Sequence, residues 1–107
     1  MNAAIQIRPA APADIAVVLA LIRELAEYEK LLHEVVATEA LVQESLFGPR
    51  PVAECVLASV DGNPVGFALF FHNYSTFKGR AGLYLEDLFV RPEFRGQGIG
   101  EALLRHL

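Results

Sequence analysis

The sequence predicts a single α/β domain. Three observations support this: short apolar segments separated by turn residues, an early segment with apolar residues at helical spacing, and a glycine-rich segment that leads from a strand into a helix. The length of 107 residues corresponds to one domain or less. Apolar residues make up 53% and charged residues 21%, a mixture typical of a packed core and not of disorder.

The first half of the chain predicts one strand and two helices. Ile5–Pro9 alternates apolar and polar residues and ends at a proline, so it predicts a short strand. Residues 12 to about 31 predict a helix with Pro12 at its first position. Thr38 is a candidate N-cap of a second helix that ends at residues 48–49. The apolar residues that define the first helix are Ile15, Val18, Leu19, Ile22, Leu25 and Ala26.

The second half predicts a hairpin, a third strand and a last helix. Residues 52–60 and 65–74 read as strands joined by a turn cluster at 61–64, and residues 75–82 read as a polar connection. Residues 83–90 predict a third strand, and residues 95–100 open a helix. The apolar face of that helix still continues at Leu107 with no cap after it, so we expect the domain to continue beyond this sequence.

Several classes of protein are disfavoured by composition. Thirteen acidic residues against nine basic ones give a net charge of −4, which argues against a nucleic-acid-binding protein. No apolar stretch approaches the roughly 18 residues of a membrane span, and the start lacks a signal-peptide pattern, so a cytoplasmic location is expected. A lone cysteine and three histidines without ligand-like spacing predict no disulfide and no metal site.

The glycine-rich turn at residues 95–100 is the sharpest chemical signal. Glycines allow positive φ and close approach of the backbone, and the N–H groups of a helix N-terminus favour an anion. Arg95 could add charge-assisted bonds to a phosphate. The spacing fits neither a Rossmann fingerprint nor a Walker loop. A tight strand-to-helix turn without a ligand remains the alternative on spacing alone.

The sequence R-G-Q-G-I-G resembles the R/Q-x-x-G-x-G/A motif of the GNAT superfamily of acyl-CoA-dependent N-acetyltransferases. Residues 22–31, 74–80 and 84–100 more closely resemble the diamine (spermidine/spermine) acetyltransferases, in particular their thialysine-acetylating branch. The resemblance implies a mainly antiparallel mixed sheet flanked by helices, of which residues 1–107 would form the N-terminal part. It also implies acetyl-CoA as co-substrate, a homodimer and no metal.

The resemblance assigns the cofactor-binding residues. The loop and first helical turn would hold the pyrophosphate of coenzyme A through their backbone; these residues are Arg95, Gly96, Gln97, Gly98, Ile99, Gly100 and Glu101. The end of the third strand would pair with the pantetheine arm through Leu88, Phe89 and Val90.

Glu86 is the candidate catalytic residue. A carboxylate in such an apolar strand is costly unless it is paired or functional. An ion pair with Arg80 or Arg91, or a position on a strand edge that faces water, is an equally open alternative. The resemblance matches Glu86 to the acidic residue that contacts the substrate amine, directly or through water. Strand alternation predicts that Glu86 shares a face with Tyr84 and Leu88, while Asp87 shares the other face with Leu85 and Phe89.

The resemblance places Tyr28 and Glu29 at the substrate end, although Glu29 could be a solvated helix-end charge and Tyr28 a core residue. Ser75 and Phe77 stand where the polyamine branch has an acidic residue and a tryptophan. We therefore expect a primary amine of the thialysine, lysine-like or short diamine type.

The residue that protonates the leaving thiolate is expected after Leu107, so the 107-residue chain alone is expected to be inactive. The alternatives are an acyl-CoA-binding fragment without turnover and a structural or dimerisation module.

Overall fold

A computed structural model describes residues 4–107. The elements are β1 (Ile5–Pro9), α1 (Ile15–Tyr28), α2 (Glu39–Phe47), β2 (Glu54–Val60), β3 (Asn63–Ser75), β4 (Arg80–Val90) and α3 (Ile99–His106), with short 3-10 turns at Pro12–Asp14, Leu32–Glu34 and Pro92–Phe94. The predicted order of strands and helices is confirmed. The first three residues, which contribute to the signal-peptide expectation, lie outside the described residues.

The four strands form one antiparallel sheet in the order β1-β2-β3-β4. Helices α1 and α2 pack on one face against a core that includes Leu57, Phe67 and Phe89. Helix α3 packs on the other face, where Ile99 and Leu103 are fully buried. The predicted α/β class with helices on both faces is confirmed. Within residues 4–107, none of the helices has the length and apolar character needed to cross a membrane.

Both hairpins are tighter than the sequence suggested. The β2–β3 turn is the pair Asp61–Gly62, with φ of 51° and 81°, a conformation typical of two-residue hairpin turns. Half of the polar segment 75–82, all of which was expected to be a connection, is strand, because the β3–β4 ladder continues to the pair Ser75↔Arg80 and only residues 76–79 form the turn. Backbone pairing with a neighbouring strand, which side-chain pattern does not reveal, extends the hairpin.

Helix α1 ends at Tyr28 and does not reach residue 31 as predicted. Leu31 N–H donates to the Ala26 carbonyl at 2.7 Å and Lys30 N–H to the Glu27 carbonyl at 3.0 Å, with Lys30 at φ 62°. This is a Schellman termination in which lysine takes the left-handed position that usually favours glycine. The apolar residue at 31 continued the helical spacing but belongs to the cap, and the termination places Tyr28 at the end of α1.

A bulge in β4 overturns the predicted faces of that strand. Asp87 pairs with Leu69 and Leu85 pairs with Phe70, so Glu86 is an extra residue without a partner. Strict alternation therefore fails, and Leu85 packs on the α3 face with Leu88, not with Asp87 and Phe89. Tyr84 stacks on Phe71 at 5.0 Å between ring centroids, on the face opposite to Leu85 and Leu88.

Arg91 connects the end of β4 to α1 and β3 through hydrogen bonds. Its guanidinium donates to both carboxylate oxygens of Glu24 in α1 at 2.8 Å and to the Pro64 carbonyl at 2.9 Å. Its backbone N–H donates to the Val65 carbonyl at 2.8 Å. The hydrogen bonds that Arg91 donates to the Glu24 carboxylate raise the pKa of Arg91 above its usual value. These bonds fix α1 and β3 relative to the point where β4 ends.

Candidate functional site

A cleft of about 400 Å³ opens where the end of β4, the following loop, the start of α3 and the end of α1 meet. Its walls come from segments that are far apart in sequence. The lining residues are Leu25, Tyr28, Glu29, Leu88, Phe89, Val90, Phe94, Arg95, Gly96, Gly98, Ile99 and Gly100.

The loop at the start of α3 has the geometry of an anion site. Gly96 and Gly98 have φ of 81° and 82°, and a Cβ on either would meet nothing within 4 Å, so their exposed side is open. The first helical bond runs from Ala102 N–H to the Gly98 carbonyl at 3.0 Å. The N–H groups of Ile99 and Gly100 precede that bond and have no acceptor in the helix. Together with the helix dipole, they favour a phosphate group at this end of the cleft.

The second wall is the outer edge of β4, the last strand of the described sheet. Arg91 N–H points to β3, since it donates to the Val65 carbonyl. In an antiparallel strand, neighbouring residues direct their backbone groups to opposite sides, so Leu88 and Val90 present theirs to the outer edge. An extended ligand with amide groups could pair with this edge as an added strand does.

Arg95 contacts this edge rather than the loop in which it lies. Its Nε donates to the Val90 carbonyl at 3.0 Å. Its guanidinium carbon lies 4.4 Å from the centre of the Tyr28 ring and 5.8 Å from the centre of the Phe89 ring. The guanidinium therefore lies across the cleft, between the end of β4 and the end of α1.

The structure brings most of the predicted binding residues together. Tyr28 and Glu29 line the cleft with eight of the ten residues proposed for coenzyme A. Gln97 and Glu101 do not line it, and the Glu101 side chain pairs with Arg105 at 2.6 Å. Glu86 is exposed at the bulge and does not line the cleft either.

Asp87 is a candidate that the sequence reasoning did not select. It is half-buried, and burial raises the pKa of its carboxyl, with further increases from the charges of Glu86 and Glu29. Neither Glu86 nor Asp87 forms an ion pair within residues 4–107, and Arg91, one suggested partner, binds Glu24 instead. Of these three carboxylates only Glu29 lines the cleft, while Glu86 and Asp87 lie in β4 close enough for the charges of Glu86 and Glu29 to act on Asp87. The bulge at Glu86 interrupts the alternation from which the opposite faces of Glu86 and Asp87 had been predicted.

Other reactive groups lie outside this cleft. Cys55 is buried in the core, and burial, followed by the charge of Asp14, raises the pKa of its thiol to about 12. That thiol stays protonated at neutral pH and is a poor nucleophile. In the part of the chain that the structure describes, no three histidine, cysteine, aspartate or glutamate side chains are arranged to hold a metal ion.

Comparison with known proteins identifies relatives of both the sequence and the fold. Residues 19–107 match the acetyltransferase (GNAT) family. The chain is 44% identical over 109 residues to the thialysine N-epsilon-acetyltransferase of Bos taurus and 41% identical over 111 residues to that of Sus scrofa. These alignments cover 94% and 96% of the chain but only 64% and 65% of the relatives, so the chain spans less than two thirds of their length.

A solved structure shares the fold. The crystal structure of an aminoglycoside acetyltransferase from an uncultured soil metagenomic sample superimposes with a TM-score of 0.79 at 20% sequence identity. The match covers 95% of this chain and 66% of that one. At this identity the likeness concerns the fold alone.

Asp87→Asn should stabilise the protein at neutral pH. Because the folded carboxyl has a raised pKa, its ionisation opposes folding at pH values above the unfolded pKa of about 4. The urea midpoint of the variant should exceed that of the wild type at pH 7, and the difference should shrink as the pH falls below about 4. Asp61→Asn, which removes a carboxylate from an exposed turn, is the matched control. An Asp87→Asn midpoint equal to or below the wild-type value at pH 7 would contradict this account.

On the expectation that the loop holds the pyrophosphate of coenzyme A, Gly98→Asp should weaken coenzyme A binding by about 3 kcal/mol, roughly a hundredfold, because the new carboxylate would lie against that anion. Gly62→Asp is the matched control: Gly62 has φ of 81° and equally open surroundings, but it lies in the β2–β3 turn. Both variants carry the same backbone strain, and only the first should lose affinity in calorimetric titration. Equal affinities would mean that the loop does not bind the pyrophosphate.

Proposed function

The chain belongs to the GNAT family of acetyltransferases, and from this we propose that its protein transfers the acetyl group of acetyl-CoA to a primary amine of a small molecule. The observation that carries the proposal is one cleft that joins the N-terminus of α3, an open strand edge and the carboxylate of Glu29, with Glu86 and Asp87 of β4 close to Glu29. These three features suit, in order, a pyrophosphate, an amide-containing arm and a cationic amine.

The proposed role of the loop and strand edge is to hold acetyl-CoA. The pyrophosphate would accept hydrogen bonds from backbone N–H groups between Gly96 and Glu101, which need no side-chain charge. The pantetheine arm would pair with the outer edge of β4 at Leu88 and Val90 and carry the thioester toward the α1 end of the cleft. Backbone recognition of this kind fixes the position of the thioester on a rigid strand.

The proposed role of the carboxylates is to attract the amine and remove its proton. A primary amine has a pKa of about 10.4, so only about one molecule in a few thousand is neutral at pH 7. Glu86 would accept the proton of the ammonium, directly or through water, and the neutral nitrogen would attack the thioester carbon. The carbon–sulfur bond then breaks, the acetyl group stays on nitrogen, and the nitrogen gives up one further proton as the amide forms. The coenzyme A thiolate takes up one proton, so the products are the amide and the free thiol.

The proposed acceptor is thialysine or a lysine-like amine. The two relatives from Bos taurus and Sus scrofa carry the name thialysine N-epsilon-acetyltransferase. The β3–β4 hairpin carries two cations, Lys78 in the turn and Arg80 at the start of β4, and Phe77 in the turn is fully exposed. A long polycation such as spermine that extended toward this hairpin would be repelled by them, whereas a short amine would not reach them. The homodimer and the cytoplasmic location stay predictions from the sequence.

A panel of amines tests the proposed function. Purified full-length protein with acetyl-CoA should release free thiol in the presence of thialysine, lysine or a short diamine, with a higher kcat/KM than with spermine. Acetyl-CoA binding without amine-dependent thiol release would instead support the alternative of a binding module. A highest kcat/KM for spermine would reject the proposed acceptor class.

Glu86→Gln should lower kcat/KM for thialysine by about 10²-fold, because the amide keeps the shape of the side chain but accepts no proton. Acetyl-CoA affinity should change little. Glu93→Gln, which neutralises an exposed carboxylate in the turn after β4, is the matched control. Wild-type kinetics of Glu86→Gln from pH 6 to 9 would remove Glu86 from the mechanism.

A further inference from the structure

The Arg95 side chain occupies the two surfaces that the proposed reactants need. Its Nε–H is bonded to the Val90 carbonyl, an acceptor on the outer edge of β4. Its guanidinium covers the Tyr28 ring at 4.4 Å. The first surface lies in the path of the pantetheine arm, and the second lies next to Glu29 at the amine end of the cleft.

Both contacts compete directly with a ligand. A guanidinium against the Val90 carbonyl blocks the approach of a second amide donor along the same strand edge. A cation over the face of Tyr28 excludes and repels an ammonium ion that would use the same aromatic face. Arg95 therefore lowers the affinity of the ligand-free cleft for an amine while it holds this position.

A bound pyrophosphate offers Arg95 a stronger partner. The loop that contains Arg95 also contains the open glycines at 96 and 98, so the side chain starts next to the anion site. In a guanidinium–phosphate bond both partners are ionised and the contact can be bidentate, whereas the present bond of Arg95 has the neutral Val90 carbonyl as its acceptor. A ligand can move the Arg95 side chain only if it interacts more favourably with one position of that side chain than with the other. The bond from Arg95 to the phosphate supplies this difference.

We propose, on the basis of the proposed function, that Arg95 is a positioning residue with two positions that couples the two reactants. In the ligand-free protein it covers Val90 and Tyr28. When coenzyme A binds, it moves to the pyrophosphate and uncovers the Tyr28 ring for the amine. Amine binding then becomes stronger after coenzyme A has bound, and the coupling depends on one side chain.

The test measures the ratio of thialysine dissociation constants without and with coenzyme A, which lacks an acetyl group and permits no transfer. In full-length wild-type protein, coenzyme A should strengthen thialysine binding about five-fold, the size of one exposed cation–π contact. In Arg95→Met the ratio should fall to about one, because thialysine already binds the ligand-free protein more tightly. Arg50→Met, at an exposed arginine outside the cleft, should keep the wild-type ratio.

A double-mutant cycle separates this role from a structural one. Tyr28→Leu should also lower the ratio of thialysine dissociation constants to about one, while its coenzyme A affinity stays within about two-fold of the wild-type value. The ratio in the double variant should be no lower than in either single variant. In the wild type, the NMR signal of the Arg95 Nε–H should shift when coenzyme A is added. An unchanged ratio in Arg95→Met, measured at a coenzyme A concentration that saturates the variant, would overturn the inference alone. Absence of coenzyme A binding in the wild type would reject the proposed function as well.

Discussion

Strands β2 and β3 are apolar on both faces, and the rest of the structure depends on covering both. Leu57 and Phe67 face α1 and α2, while Val56 and Ala68 face α3. An isolated hairpin could not bury these surfaces, so the helices must lie on opposite sides of the sheet. The start of α3 and the end of α1 come together next to the outer edge of β4. The cleft at this edge therefore follows from the packing of α1 and α3 on opposite faces of the sheet.

An open strand edge is usually a hazard, because unpaired N–H and carbonyl groups invite association. Here the edge is modified at two points. The bulge at Glu86 interrupts the regular ladder, and Arg95 covers the Val90 carbonyl. Arg91 holds the end of the strand to α1 through its ion pair with Glu24. The outer edge of β4 is thus held in place by Arg91 at its end and covered at Val90 by the Arg95 side chain.

The candidate site concentrates features that oppose stability. Lys30 holds a left-handed conformation at the end of α1, which costs a residue with a Cβ about 1 kcal/mol or more. Asp87 is half-buried close to two further carboxylates that raise its pKa. Local conflicts of this kind are expected where function and stability impose different requirements on the same residues. The core, by contrast, leaves no side-chain polar atom buried without a partner in the described residues.

The sequence by itself determined the order of elements, the β2–β3 hairpin and the glycine loop, because each follows from local spacing. It also determined most of the cleft-lining residues, through the resemblance carried by residues 84–100. Only the tertiary structure decided that α1 ends at Tyr28, that Glu86 lies in a bulge and that Asp87 joins the acidic group. It alone placed Arg95 across Tyr28 and Val90. These features arise from pairing and packing between segments distant in sequence, and local periodicity contains no information about which residue a partner strand will skip.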